Sequence, residues 1–151
     1  MKAYKRAARP TLLLVGIAPP VMKTARRVPS KEFAMPEQNK TVLLKANAAI
    51  SKLDFEGFLK FCTDDVKWTM VGEQTIDGKE AVRSWMKETY VEAPDFDAKT
   101  LIAEGDWLAA LGEISIKDQD GSVTRSSYCD IWRFRDGKMA ELKAYVVEAK
   151  P

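Results

Sequence analysis

The strongest constraint on this chain is a set of turn signals at near-even spacing through its second half. Glu104-Gly105-Asp106, Asp118-Gln119-Asp120-Gly121 and Arg135-Asp136-Gly137 separate four stretches, FDAKTLIA, DWLAALGEISIK, SVTRSSYCDIWRF and KMAELKAYVVEA. Each stretch alternates apolar with polar residues, which is the period of a strand, and Gly-Asp clusters between strands read as hairpins. Successive hairpin-linked strands lie side by side, so residues 95–148 are expected to form a four-strand antiparallel meander.

Helical spacing dominates the first half. Leu43, Ala46, Ile50 and Leu53 recur on one face of a helix through TVLLKANAAISKLD. Asp54 is placed to cap a second helix over DFEGFLKFCTDD, with Phe55, Phe58, Leu59 and Cys62 as its stripe and Asp64-Asp65 as a solvated end. Val66, Trp68 and Met70 then alternate with Lys67 and Thr69 as a first strand. Asp77-Gly78-Lys79-Glu80 has the spacing of a capping box. It opens a third helix with Ala81, Val82, Trp85 and Met86 inward, closed before Pro94. Three helices followed by a meander predict an α+β fold, with the helices on one side of a curved sheet.

Charge divides the chain. Residues 1–31 carry eight Lys/Arg and no acid, whereas residues 32–151 carry sixteen Lys/Arg against twenty-two Asp/Glu, a balance of −6. A mildly acidic domain lacks the clustered cations that hold nucleic acid phosphates. Residues 1–36 read as a basic leader and 37–151 as the folded domain. The apolar run Thr11 to Ala18 is broken by Pro19-Pro20 and is too short to span a bilayer. The leader fits a secretory or organellar signal, a disordered arm, or translation that begins at Met22 or Met35; a start at Met35 implies a cytoplasmic protein.

Histidine is absent, which removes His-dependent nucleophile systems and the usual zinc, haem and iron ligands. Any proton transfer falls to a carboxylate, Lys, Tyr or bound water. No metal or cofactor is expected. Cys62 and Cys129 form no CxxC pair and read as small buried apolar groups.

Asp130 is the residue that calls for explanation. In SSYCDIWRF it falls on the strand face that carries Tyr128, Trp132 and Phe134, where an unpaired charge is costly. A four-residue loop at Asp118–Gly121 pairs Ala109 with Asp130, Leu111 with Tyr128, Trp107 with Trp132 and Glu113 with Ser126 on that face. The other face then shows Leu108, Ala110, Ile114, Ile116, Cys129 and Ile131. A sheet apolar on both sides needs two covers, the helices and a second subunit. For the last hairpin, a plain two-residue turn sets Lys143 beside Asp130. A bulge at Gly137 instead sends Leu142, Ala144 and Val146 inward and Lys143 and Tyr145 outward, as the apolar alternation favours.

The order and spacing of DFEGFLKFCTDDVKW, IDGKEAVRSWM, AEGDWLAA and YCDIWRFRDGKMAELKAY resemble the NTF2-like superfamily, in particular its SnoaL-like and ketosteroid-isomerase-like members. The resemblance covers residues 39–148 and implies a cystatin-like cone, in which a bent sheet and helices enclose a mostly apolar pocket. Many members dimerise through the outer sheet face. By this likeness Asp130 matches the protonated Asp of the isomerases' oxyanion hole. Their base position matches Met70, their oxyanion Tyr matches Ala46, and the final-strand acid of the cyclases matches Ala144. The expected pocket holds Trp68, Met70, Trp85, Trp107, Leu111, Tyr128, Trp132, Leu142, Ala144 and Glu113 around Asp130. The implied activity is binding of an apolar or aromatic small molecule, with cofactor-free isomerase, cyclase or dehydratase chemistry through Asp130. The alternative is a non-catalytic ligand-binding or dimerisation module.

Overall fold

Nine elements follow one another in the computed structural model, which describes residues 31–149. They are α1 (Lys31–Ile50), α2 (Phe55–Leu59), β1 (Cys62–Met70), β2 (Gln74–Asp77), α3 (Lys79–Thr89), β3 (Asp95–Glu104), β4 (Trp107–Lys117), β5 (Val123–Arg135) and β6 (Lys138–Glu148). The readings made for residues 1–30 lie outside the described residues. The strands form one curved, unclosed sheet in the order β2-β1-β6-β5-β4-β3, and the architecture is the α+β cone. The expected meander is present as β3 to β6. At its far side β1 joins β6 in parallel, and the short edge strand β2 pairs back on β1.

The second helix ends three residues earlier than the sequence pattern suggests. Asp54 caps it as expected, accepting the Gly57 N–H at 2.8 Å, but the helix closes at Leu59. The Phe61 carbonyl accepts from the Met139 N–H at 2.8 Å, and Cys62 pairs with Met139 across the sheet. Sheet hydrogen bonds thus take over residues that share the helix stripe. Asp64 and Asp65 consequently sit within β1, where Lys79 holds Asp64 at 2.8 Å and Arg135 holds Asp65. The capping-box reading is also corrected. Gly78 is the N-cap of α3 with no side-chain cap bond, and Asp77 belongs to β2 opposite Lys67.

The core fills the concave side of the sheet. Leu43, Ala46 and Ile50 of α1, Phe58 and Leu59 of α2, and Val82 and Met86 of α3 are buried against Leu108, Trp132, Phe134, Met139 and Leu142. Each large side chain so placed contributes about 1.5–3 kcal/mol relative to exposure. Asn39 extends the α1 stripe by one turn, and its amide reaches the Gly105 carbonyl at the β3–β4 turn at 3.3 Å. The Cys62 thiol is fully buried, and burial pushes it up to about 12, which suits a packing group.

Two hairpin registers decide which residues look inward. Between β4 and β5, Leu108 faces Trp132, Ala110 faces Asp130, Gly112 faces Tyr128 and Ile114 faces Ser126. This is one residue away from the expected pairing. The loop holds five residues, 118–122, because Asp120 accepts both the Ser122 N–H at 2.9 Å and its hydroxyl at 2.6 Å, drawing Ser122 into the turn. A one-residue slip turns every side chain of the strand over. Between β5 and β6 the turn is Asp136-Gly137, both with positive φ, and the extra residue is Ala140 rather than Gly137. From there Trp132 faces Leu142, Asp130 faces Ala144 and Tyr128 faces Val146, so Lys143 points away from Asp130.

Candidate functional site

An open-mouthed cavity of about 220 Å³ lies between the concave sheet face and the helices. Its deep wall is aromatic. Trp68 of β1 packs on Phe58 at 5.9 Å, on Trp85 of α3 at 5.4 Å and edge-on to Trp132 of β5 at 5.8 Å. Tyr90, one residue beyond α3, meets Trp85 edge-on at 5.7 Å and stacks on Phe55 at 6.4 Å. Met70 and Ala144 complete the floor beside Asp130.

Asp130 projects from β5 into this apolar lining. Among the described residues it has no side-chain hydrogen bond and no cationic partner. Desolvation is the cause that raises its carboxyl from the ordinary carboxylate range to about 7. Neutral and ionised forms are therefore both populated near neutral pH. Burial, reinforced by the Asp130 charge, also pushes the Tyr90 phenol well up, so Tyr90 stays a hydrogen-bond donor. Tyr128 is pushed up to about 12 by burial and by the Asp130 and Asp97 charges. Its hydroxyl is already engaged, donating to the Asp97 carbonyl at 2.6 Å.

The cavity gathers seven of the residues singled out in the sequence: Trp68, Met70, Trp85, Tyr128, Asp130, Trp132 and Ala144. Four others lie elsewhere. Leu142 faces inward but is fully covered, packed beneath the cavity in the core. Trp107, Leu111 and Glu113 are on the convex face, turned there by the five-residue β4–β5 loop. Trp107 stands over Arg133, and Glu113 pairs with Lys99 at 3.0 Å. The positions that replace them are Ala110, Ile114 and Ile116 of β4. Tyr90 and Asn47 also line the cavity, outside the expected set, and both extend readable helix stripes. Tyr90 follows Val82 and Met86 at intervals of four, and Asn47 follows Leu43 by four. Glu73, from the β1–β2 turn, stands among the lining residues as an exposed carboxylate.

Among the described residues no three His, Cys, Asp or Glu side chains meet as a metal site, and no helix is long and apolar enough to cross a membrane. The polar equipment of the cavity is thus the partly buried Asp130, the exposed Glu73 at its edge, the Tyr90 and Tyr128 phenols, the Thr89 hydroxyl and the Asn47 amide.

A cone of this kind with an apolar cavity points to a family, and comparison with known proteins identifies it. The sequence profile of the SnoaL-like domain matches residues 44–142, so the chain belongs to the SnoaL-like domain family. Similar structures carry the same fold at low identity. An NTF2-like protein of unknown function from Cytophaga hutchinsonii is 21% identical, with a TM-score of 0.61 over 75% of this chain and 99% of that one. A candidate ketosteroid isomerase from Kribbella flavida is 18% identical, with a TM-score of 0.66 over 77% and 82%. A LEH-like epoxide hydrolase of M. tuberculosis is 13% identical, with a TM-score of 0.67 over 74% and 84%. No curated protein matches the sequence.

Proposed function

We propose that the chain binds an apolar or aromatic small molecule in this cavity and that Asp130 transfers a proton on it, as a cofactor-free isomerase, cyclase or dehydratase. The observation that carries this reading is a partly buried carboxyl on the cavity wall, without a protein partner among the described residues and held near 7 by desolvation. An acid poised at the working pH serves as base in one step and acid in the next. The ionised form takes a proton from a carbon made acidic by a neighbouring carbonyl, and the protonated form returns it to another atom. The Tyr90 phenol is a donor for the oxygen on which charge then accumulates. Exclusion of water by the aromatic wall strengthens both interactions.

Exchange of α-protons tests this. Incubated in D2O with single-ring and fused two-ring cyclic ketones, the protein is expected to catalyse deuterium uptake, with a rate that climbs as pH rises through about 7. Asp130→Asn should lower that rate at least a hundredfold, within the range of general base catalysis. Equal rates for the two proteins would remove Asp130 from proton transfer. Binding without exchange would favour the non-catalytic module, a reading supported by the residues at the expected base and phenol positions, Met70 and Ala46.

The convex face supports a second subunit as partner. Ile102, Trp107, Leu111, Tyr145 and Val147 are 38–69% exposed on neighbouring strands, an apolar surface that a second copy of the chain would cover. Leu111→Asp is expected to turn a dimer into a monomer in sedimentation. A wild-type chain that sediments as a monomer at tens of micromolar would end this reading.

A further inference from the structure

The charge of the cavity is one-sided. On α1 it is lined by Asn47, on α2 by Phe58, and on β1 by Trp68 and Met70, none of them charged. The β1–β2 turn adds Glu73, α3 and its cap add Tyr90, and β5 adds Tyr128 and Asp130. From β3, β4 and β6 only uncharged groups such as Phe96, Ala110 and Ala144 face it. Among the described residues every titratable group in the lining is therefore an acid, and no Lys or Arg enters it. The cation nearest in sequence on β5, Arg133, is turned to the convex face over Trp107 at 5.7 Å. An anionic ligand would meet two carboxylates and no counter-charge. A neutral ligand would leave Asp130 either unpaired or protonated.

The rest of the lining points the same way. Three indoles, two phenyls and two phenols line the space, and ring faces carry the negative end of the aromatic quadrupole. Aromatic enclosure with a carboxylate at its base attracts positively charged nitrogen, most strongly where water is excluded. Size sets the rest. The cavity exceeds the roughly 150 Å³ that accepts benzene and falls short of the roughly 300 Å³ at which drug-sized pockets begin.

We propose that the ligand of this cavity is a small organic cation of one or two rings, its charged nitrogen lying against the aromatic wall with Asp130 as counter-charge. This rests on the cavity being a ligand site, as proposed above, and narrows the aromatic molecule proposed there to one that carries a positive charge, the neutral ketones being probes of proton transfer alone. A bound cation stabilises the ionised carboxylate, so binding and deprotonation of Asp130 are linked. Occupancy would hold Asp130 in its base form below the pH at which the empty site ionises. Glu73 would add attraction for the same charge on entry.

Three probes of similar size separate the possibilities: phenyltrimethylammonium, its uncharged isostere tert-butylbenzene, and benzoate. Binding is read from tryptophan emission at pH 8.5 and pH 5.5. At pH 8.5 the ammonium is expected to bind at least about tenfold more tightly than tert-butylbenzene, with benzoate weakest. At pH 5.5, with Asp130 protonated, the advantage should fall below about threefold, and Asp130→Asn should show the same small advantage at both pH values. If that variant does not fold, the two-pH comparison on the wild-type chain decides alone. Equal or tighter binding of tert-butylbenzene at pH 8.5 overturns the cation assignment and leaves the apolar-cavity reading standing. A preference for the ammonium that survives loss of the Asp130 charge also overturns it. No binding of either isostere rejects the ligand-site reading itself, and the cation assignment with it.

Discussion

Along the inward row of β5 the stretch Phe134, Trp132, Asp130, Tyr128 passes from one character to its opposite. At the Phe134 end the side chain is 2% exposed and packs with Met139, Cys62 and Leu59, all fully buried. At the Tyr128 end the same sheet face borders the cavity, and Val146, opposite Tyr128, is 53% exposed. Cover explains the difference. The helical stripes of α1 and α2 close over the first end, whereas at the second Leu43, Asn47, Ile50, Phe58, Trp85 and Tyr90 stand back from the sheet and leave the cavity between. The polar residues of the row appear where that cover thins, and Trp132, 2% exposed, marks the boundary. Stability and binding are thus separated along a single strand, with an acid on the far side of one indole from a sealed core.

The largest effect expected from breaking this division is on the sealed side. Phe134→Ala should cost about 3–5 kcal/mol of unfolding free energy in urea titrations, the usual loss for an aromatic removed from a closed core. A loss below about 1 kcal/mol would mean that the Phe134 end relaxes as freely as the open end, and the contrast would collapse.

Asp130→Asn tests the other side through pH. The folded-state carboxyl sits at about 7, above its unfolded value, so deprotonation favours the unfolded chain. The wild-type chain carries no penalty at pH below about 4. The penalty grows as pH rises between about 4 and 7 and is complete above 7, where it reaches on the order of 4 kcal/mol. The Asn variant lacks this titration. It is expected to be the more stable protein at pH 8, by about 2–4 kcal/mol, with the gap closing as pH falls toward 4. Parallel stability–pH curves for the two proteins would show that Asp130 is solvated rather than desolvated, removing the basis of its proposed chemistry.

What could be read from the chain follows the same physical divide. Alternation and Gly-Asp turns mark β3 to β6, since those signals are local and recur, four alternating stretches with three turns between them. The bulge before Leu142 is also legible, because only that register keeps Lys143 out of an apolar face. Loop length at Asp118–Ser122 was not, although it rests on one visible device. Asp118 and Asp120 both offer carboxylates to Ser122, and Asp118 binds Thr124 at 2.8 Å as well. That slip moved Trp107, Leu111 and Glu113 to the wrong face and hid Ala110, Ile114 and Ile116. β2 went unread because Gln74–Asp77 has no apolar alternation, and its pairing comes from β1. Pairing of β1 with β6 is parallel and distant in sequence, so nothing local announces it.

The smallest effect expected concerns Tyr128, which lies on the open side yet is fastened like a core residue. Its anchor exists because β3 carries an irregularity between Ala98 and Thr100 that brings the Asp97 carbonyl over Gly112. A Cβ on Gly112 would lie 1.8 Å from that oxygen, so glycine is what permits the approach. The Asp97 side chain secures the same spot by accepting the Glu113 N–H at 3.1 Å. Tyr128→Phe should then cost about 1 kcal/mol, the net worth of one hydrogen bond. Deuterium exchange and probe binding should stay within about twofold of wild type, since the hydroxyl is committed to β3 and not to a ligand. A large loss of turnover with little loss of stability would instead show that Tyr128 lets go of Asp97 when the cavity fills. The boundary between the anchored wall and the reactive site would then lie one residue pair further along the strand, between Tyr128 and Ser126.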